Sequence, residues 1–555
     1  MSRSAPLTHS MGTPYVDAAA SRLELTAAVD LRAYAVGQAG RLSATRRPAP
    51  QARRCVARVL VRSGLAACCL ASLIAAGCEK GRATEAPSQG RSAAGSPRVV
   101  EWGTDLLAGI DSRFVSTSGE SFREAYPMTR IERPEPGRAV LDPEFGTTIR
   151  RISDAHAESP RSGKYGIRTL YTGTPAWNLD QTLLLTYSPG AGYFLYRGGT
   201  FRHGEGPLEG EPDYSFLGQL DLHGIDYPTD FERLYWSAEA DDPAAARTLY
   251  FPNQRHKLMK LVLSERGRGR LEEVRDFREQ CAGFGYGHQL ITDSHHWASF
   301  DGQTWGFKCG PNSGAHVFGY DLATDTVLWQ KTHRGGGRWS LAGTPVPTPS
   351  GQHFIVNTDE GLAIWDRRGE PVGKIPLKLE HATMTLSGEG DLYVTTVFDE
   401  PAALSGTIVA CSIPEGACRL VAGRKNGLPY PPSGTHHSGI AYLNPGWIAT
   451  SVVGFEPLDG RKILNQELLL TDLRKPEAPR VARIAHHRSA RAQNPSIDNH
   501  YWQEPHPVIS PDGCRIAFNS DWSAGRPERE MFNRVDVFVV ELPCFRAESA
   551  TPPGR

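Results

Sequence analysis

Eighteen histidines stand in this 555-residue chain, and several recur at one place in a repeating pattern. His223, His288, His381, the pair His436 and His437, and His506 each lie a few residues before a turn signal. A second group leads toward the last of these turns: His486, His487, Arg488, His500, Tyr501, Gln503 and Glu504. The matching place in the first repeat carries Arg168, Tyr171 and Trp177 instead. Imidazoles gathered on an aqueous pocket can ligate a transition metal or act as general bases. Arginines beside them can hold a carboxylate through two parallel hydrogen bonds. The plainer alternative is that these histidines are hydrogen-bonded wall residues of a wet channel.

Whether they meet depends on the elements that carry them. From about residue 145 onward, short β-branched and aromatic runs alternate with turn signals, and long amphipathic helical periods are scarce. The clearest unit is the last. There Pro511-Asp512-Gly513 separates HPVIS from CRIAFN, and DVFVVEL follows. Proline presets φ, aspartate bonds its own backbone, and glycine takes the left-handed position. Weaker versions stand at Trp177–Asp180, Pro228-Thr229-Asp230, Thr292-Asp293, Pro349-Ser350-Gly351, Gly388-Glu389-Gly390 and Asn444-Pro445-Gly446. Each turn is followed by a predicted strand: TLLLTY, RLYWSA, HHWASF, HFIVNT, LYVTTV and WIATSV.

Seven such units predict an all-β fold, a seven-bladed β-propeller over residues 145–545. A lone four-stranded sheet cannot bury both faces, whereas seven packed around an axis can. Phe145–Ser153 (FGTTIRRIS) is placed to give the last blade its outermost strand and close the ring. Two tandem β-sandwiches are the competing arrangement, disfavoured because the unit recurs without a linker. In a propeller the innermost strands line the channel, so the recurring histidines converge near one mouth.

The flanks read differently. Residues 1–55 are Arg/Ala-rich and weakly patterned, an extension from an early start or a disordered one. Over 56–78, arginines precede the apolar run GLAACCLASLIAAG, too short to span a bilayer, which has the form of a secretory signal. Its end, Ala75-Ala76-Gly77-Cys78, resembles the lipobox of bacterial lipoproteins. That resemblance implies acylation of Cys78 and, with Glu79 following, export to the outer membrane of a Gram-negative cell. Residues 79–99 read as a flexible tether, 100–144 as an extension packing on the propeller, and 546–555 as a disordered tail.

Six of the ten cysteines follow Cys78, an even number suited to an oxidising compartment. Cys411 and Cys418 face each other across a hairpin. Cys514 opens one strand and Cys544 closes its antiparallel neighbour, which leaves Cys281 with Cys309. None of the six lies in a CxxC pair, so thiolate metal binding is discounted. The 61 basic and 61 acidic side chains balance, so nothing here points to nucleic acid as a partner, which would need a basic face. A monomer is expected.

The segment from His486 through HYWQEPHP and SPDG to Asn519-Ser520-Asp521-Trp522 resembles the last blade of TolB-type and oligogalacturonate-lyase-type propellers. TPAWNLDQTLLLTY resembles their first blade. The lyase resemblance implies a manganese ion held by several histidines and one glutamine, and a further histidine as base. A metal would acidify the proton α to a uronate carboxylate, and the base would remove it. His506 matches a ligand of that family, Gln503 lies near the glutamine at a different offset, and Val508 stands where another ligand is expected. The expected metal set is therefore His487, Gln503 and His506, and the expected catalytic set is His288, His437, Arg168 and Tyr171. Two functions follow: a cell-envelope platform binding a glycan or protein at the channel mouth, or a metal-dependent polysaccharide lyase.

Overall fold

The computed structural model describes residues 103–545 apart from short internal segments, the longest being 201–210, 334–342 and 425–433. Seven antiparallel sheets follow one another along the chain as the blades of a β-propeller. Blade six is typical. Gly434–Ser438 is innermost, followed outward by Trp447–Val452, Glu467–Asp472 and Arg480–His486. Blades four (Val346–Pro347 to Pro371–Ile375) and five (Ala382–Ser387 to Cys418–Ala422) repeat this order. In blades one and three the innermost run is reduced to isolated bridges: Arg168 with Tyr187 and Trp177 with Leu184, then Ile291 with Lys308 and Ala298 with Trp305.

Blade seven closes the ring. Val508–Ile509, Arg515–Ser520 and Asp536–Glu541 come from the C-terminal end, and Thr148–Arg151 pairs antiparallel with Asp536–Glu541. Ala139–Leu141 adds a fifth strand outside it, and Val115–Ser116 likewise extends blade six. Ion pairs lock the seam: Arg150 Nε lies 2.6 Å from Glu541, and Arg151 2.9 Å from Asp536.

Blades stack face to face, so their middle strands are covered on both sides. Arg515–Ser520, Asp536–Glu541 and Trp447–Val452 are buried at every position. Rim strands such as Gly269–Asp276 and Pro371–Ile375 keep exposed positions. Apolar–polar alternation is a property of sheets with one wet face, which explains its weakness in this sequence.

The turn signals mark the crossing from first to second strand in five blades. Gly446 and Gly513 hold φ of 92° and 82°, as that tight return requires. Blades two and three differ. Tyr235–Trp236, expected as a second strand, is innermost and pairs with Thr248–Pro252. In blade three Ala298 lies on the innermost run, and the return passes through Asp301-Gly302, where Gly302 has φ 72°. Two turn signals compete within a dozen residues there, and the Asp-Gly pair is the sharper one. All three disulfides form as expected: Cys281–Cys309, Cys411–Cys418 and Cys514–Cys544. The signal-like segment with Cys78, the tether and the C-terminal tail lie outside the described residues.

Candidate functional site

Blades five, six and seven each bring one histidine to the start of their innermost strand, at the same end of the channel. His381 precedes Ala382–Ser387, His436 lies within Gly434–Ser438, and His506 precedes Val508–Ile509. Their rings form a column, with centroids 4.5 Å apart for His381 and His436 and 4.3 Å for His436 and His506. Tyr171 packs edge-on against all three, at 6.5, 5.9 and 5.5 Å. One Glu504 carboxylate oxygen lies 3.5 Å from Nε2 of both His436 and His506.

Local backbone fixes this cluster. His506 sits at φ 37°, in a left-handed conformation that few non-glycine residues adopt. Its carbonyl accepts from the Thr169 hydroxyl at 3.0 Å, and Asn519 Oδ1 accepts from the Thr169 amide at 2.7 Å. Blade seven is thereby tied to the innermost run of blade one, which carries Arg168.

Arg168 is fully buried (0 % exposed). Its Nη2 meets Nδ1 of His506, and its guanidinium lies over the rings of Tyr501 (4.7 Å) and Trp502 (4.8 Å). Nη1 has no hydrogen-bond partner, and no carboxylate pairs with this guanidinium among the described residues. Glu232 stands one step away and accepts from the Tyr501 hydroxyl. Burial, then the neighbouring Asp230, push the Glu232 carboxyl up to about 7, against the pull of Tyr501 and Arg168. His506 is held well below its ordinary value by burial, with Arg168 and His381 adding to the shift, so it is neutral at physiological pH. Burial, reinforced by Glu232 and Glu504, raises Tyr171 well above the usual phenol range. Tyr171 is therefore a hydrogen-bonding phenol here and not a proton acceptor.

The sequence-derived assignments divide. Arg168, Tyr171 and His506 meet at the mouth, joined by His381, His436 and Glu504. His437 and His487 do not. His437 Nε2 and Nδ1 pair with the Thr396 and Thr450 hydroxyls at 2.8 and 2.9 Å. His487 donates from Nε2 to the Val452 carbonyl at 3.0 Å and accepts the Ser489 amide on Nδ1. Burial lowers both to about 3. Successive strand residues point to opposite faces, so only one of His436 and His437 can reach the channel. Gln503 is buried with its side-chain amide unpartnered. His223 and His288 lie outside the described residues.

His436, Glu504 and His506 offer one ligand atom each, all within 4.8 Å of one another. Two imidazoles and a carboxylate suit a first-row divalent cation in donor type and mutual spacing. Ligation by His506 Nε2 places the ring proton on Nδ1, opposite the Arg168 N–H, so that contact must open when a cation binds. Glu232 was missed as a site residue, and Glu504 was singled out but not given a ligand role. Glu504 stands between Gln503 and the Pro505-His506 pair, whereas Glu232 gives no sequence signal.

No protein-family model matches the chain, and no curated protein matches it. Among solved structures it is similar to an oligogalacturonate lyase in complex with manganese and to an oligogalacturonate lyase from Vibrio parahaemolyticus. Each is 13 % identical with a TM-score of 0.45, over 73 % of this chain and 96 % of that one. It is also similar to Chaetomium thermophilum Sqt1 bound to the N-terminus of ribosomal protein L10, 13 % identical with a TM-score of 0.37, over 65 % of this chain and 80 % of that one. What those proteins bind or cut belongs to them, and function here is read from this chain's own side chains.

Proposed function

We propose that the channel mouth is a binding site for an acidic glycan, on a propeller tethered to the cell envelope through an acylated Cys78. The observation that carries this reading is the charge on Arg168. An enclosed guanidinium is unfavourable by several kcal/mol unless an anion compensates it. No described carboxylate pairs with it, the nearby Glu232 carboxyl is pushed up to about 7 and is neutral below that, and Nη1 is left to donate. A ligand carboxylate completes the pair with charge-assisted hydrogen bonds. Tyr501 and Trp502, half-buried beside it, offer ring faces suited to a sugar.

Calorimetry with uronate oligosaccharides and with neutral oligosaccharides of equal length tests this. The acidic ligands should bind, and Arg168→Gln should weaken them about tenfold to a hundredfold, as expected for a charged hydrogen bond. Equal affinity for neutral chains, or an unaffected variant, overturns the reading.

The cluster of His436, Glu504 and His506 favours a second reading, a metal-dependent polysaccharide lyase. These three residues would hold the cation, which would supply Lewis acidity toward a uronate carboxylate. Arg168 would neutralise the same carboxylate. Metal analysis of the purified protein, with absorbance from unsaturated uronate products, decides it. Absence of both metal and product removes the lyase reading and leaves the binding site standing.

A further inference from the structure

A second concentration of arginines lies between blades six and seven, apart from the channel cluster. A cavity of about 230 Å³ is walled by Arg130, Arg461, Arg488 and Arg526, with Trp522 at its side and Asp459 as the one acidic residue among the described lining residues. Its walls come from the link between Trp447–Val452 and Glu467–Asp472 and the link between Arg515–Ser520 and Asp536–Glu541. The N-terminal segment around 127–131 completes it. In antiparallel blades, second-to-third-strand links emerge at the end where innermost strands begin. The cavity therefore lies at the same end of the propeller as the channel mouth.

Arg526 is the decisive group. Its side chain is 6 % exposed, yet its bonds go to neutral carbonyls, from Nε to Trp522 at 3.2 Å and from Nη2 to Ile131 at 2.9 Å. Its nearest carboxylate, Glu132, lies 3.9 Å away and is 84 % exposed, a pairing that water screens heavily. Arg488 donates from Nη1 to the Thr129 carbonyl at 2.7 Å, and its Nε has no partner. Asp142 and Glu144 lie 3.4 and 3.7 Å from Nη2 of Arg488, and neither lines the cavity. Arg130 and Arg461 stand more exposed at the rim, paired with Glu530 and Asp459.

We propose that this cavity is an oxyanion site, seated on Arg526 and Arg488, that takes one sulfate, phosphate or carboxylate group. Planar guanidiniums anchored by backbone carbonyls are preorganised for such a group, and the cavity has room for it. This does not depend on the channel reading.

The test uses the full folded domain. Thermal shift and calorimetry are run with sodium sulfate, sodium phosphate and sodium acetate, against sodium chloride at equal ionic strength. A saturable stabilisation by at least one oxyanion is expected. Arg526→Gln should weaken it about tenfold, and Arg461→Gln, at the exposed rim, should weaken it less with the melting temperature unchanged. Arg168→Gln should leave it intact. Sulfated and uronate oligosaccharides in parallel arms identify whether the group arrives free or on a sugar. A response that does not saturate, or that survives both Arg526→Gln and Arg461→Gln, overturns the proposal. So does loss of the sulfate response in Arg168→Gln.

Discussion

At Arg168 a permanent positive charge sits beside a carboxyl whose ionisation lies in the physiological range, so ligand binding and pH are linked. Glu232 titrates near 7 because burial outweighs the attraction of Arg168. Below that pH it is neutral and leaves the guanidinium to an incoming anion. Above it, the carboxylate repels the same anion. Affinity for acidic oligosaccharides should therefore fall as pH rises through about 7, and Glu232→Gln should flatten the profile in calorimetry between pH 5.5 and 8.5, values chosen roughly to bracket the raised carboxyl. Stability follows the same sign. A carboxyl raised on folding favours the native state below its unfolded value, and that contribution is lost as pH rises through its folded value. His506 adds nothing to the affinity profile in this window, since it is already neutral in the native state. Its unfolded form titrates at about 6.5, so it opposes Glu232 by lowering stability as pH falls through that value.

The closing strand and the crosslinks carry the element-scale expectations. Ile149 is fully buried on Thr148–Arg151, and Ile149→Ala should destabilise by about 2–5 kcal/mol in denaturant unfolding. Removing Cys514–Cys544, which spans 30 residues, should destabilise by about 1 kcal/mol more than removing Cys411–Cys418, which spans 7. Chevron or equilibrium unfolding of the paired alanine variants measures the difference. Much of this architecture is legible in the sequence, because Pro, Asp and Gly punctuate the return from first to second strand. It fails at Thr292-Asp293, where Asp301-Gly302 makes the turn, since spacing alone does not rank two nearby signals. The site is less legible. The alternation of strand faces says that His436 and His437 diverge, but only the Thr396 and Thr450 hydroxyls decide which turns inward. Glu232 belongs to the site through folding alone, its partner Tyr501 being 269 residues away.

For the molecule as a whole, the proposed attachment through Cys78 predicts that Cys78→Ala shifts the protein from the membrane fraction to the soluble fraction and abolishes acyl labelling. Closure of the ring bears on how the molecule is made. Chains are synthesised from the N-terminus, so Thr148–Arg151 exists long before Asp536–Glu541, and Arg150 waits 391 residues for Glu541. During that interval one edge is an unpaired row of amides and carbonyls, the kind of template that recruits other chains. A ribosome that stops short of the final strand leaves this seam permanently open, and such truncated products belong in aggregates or with chaperones.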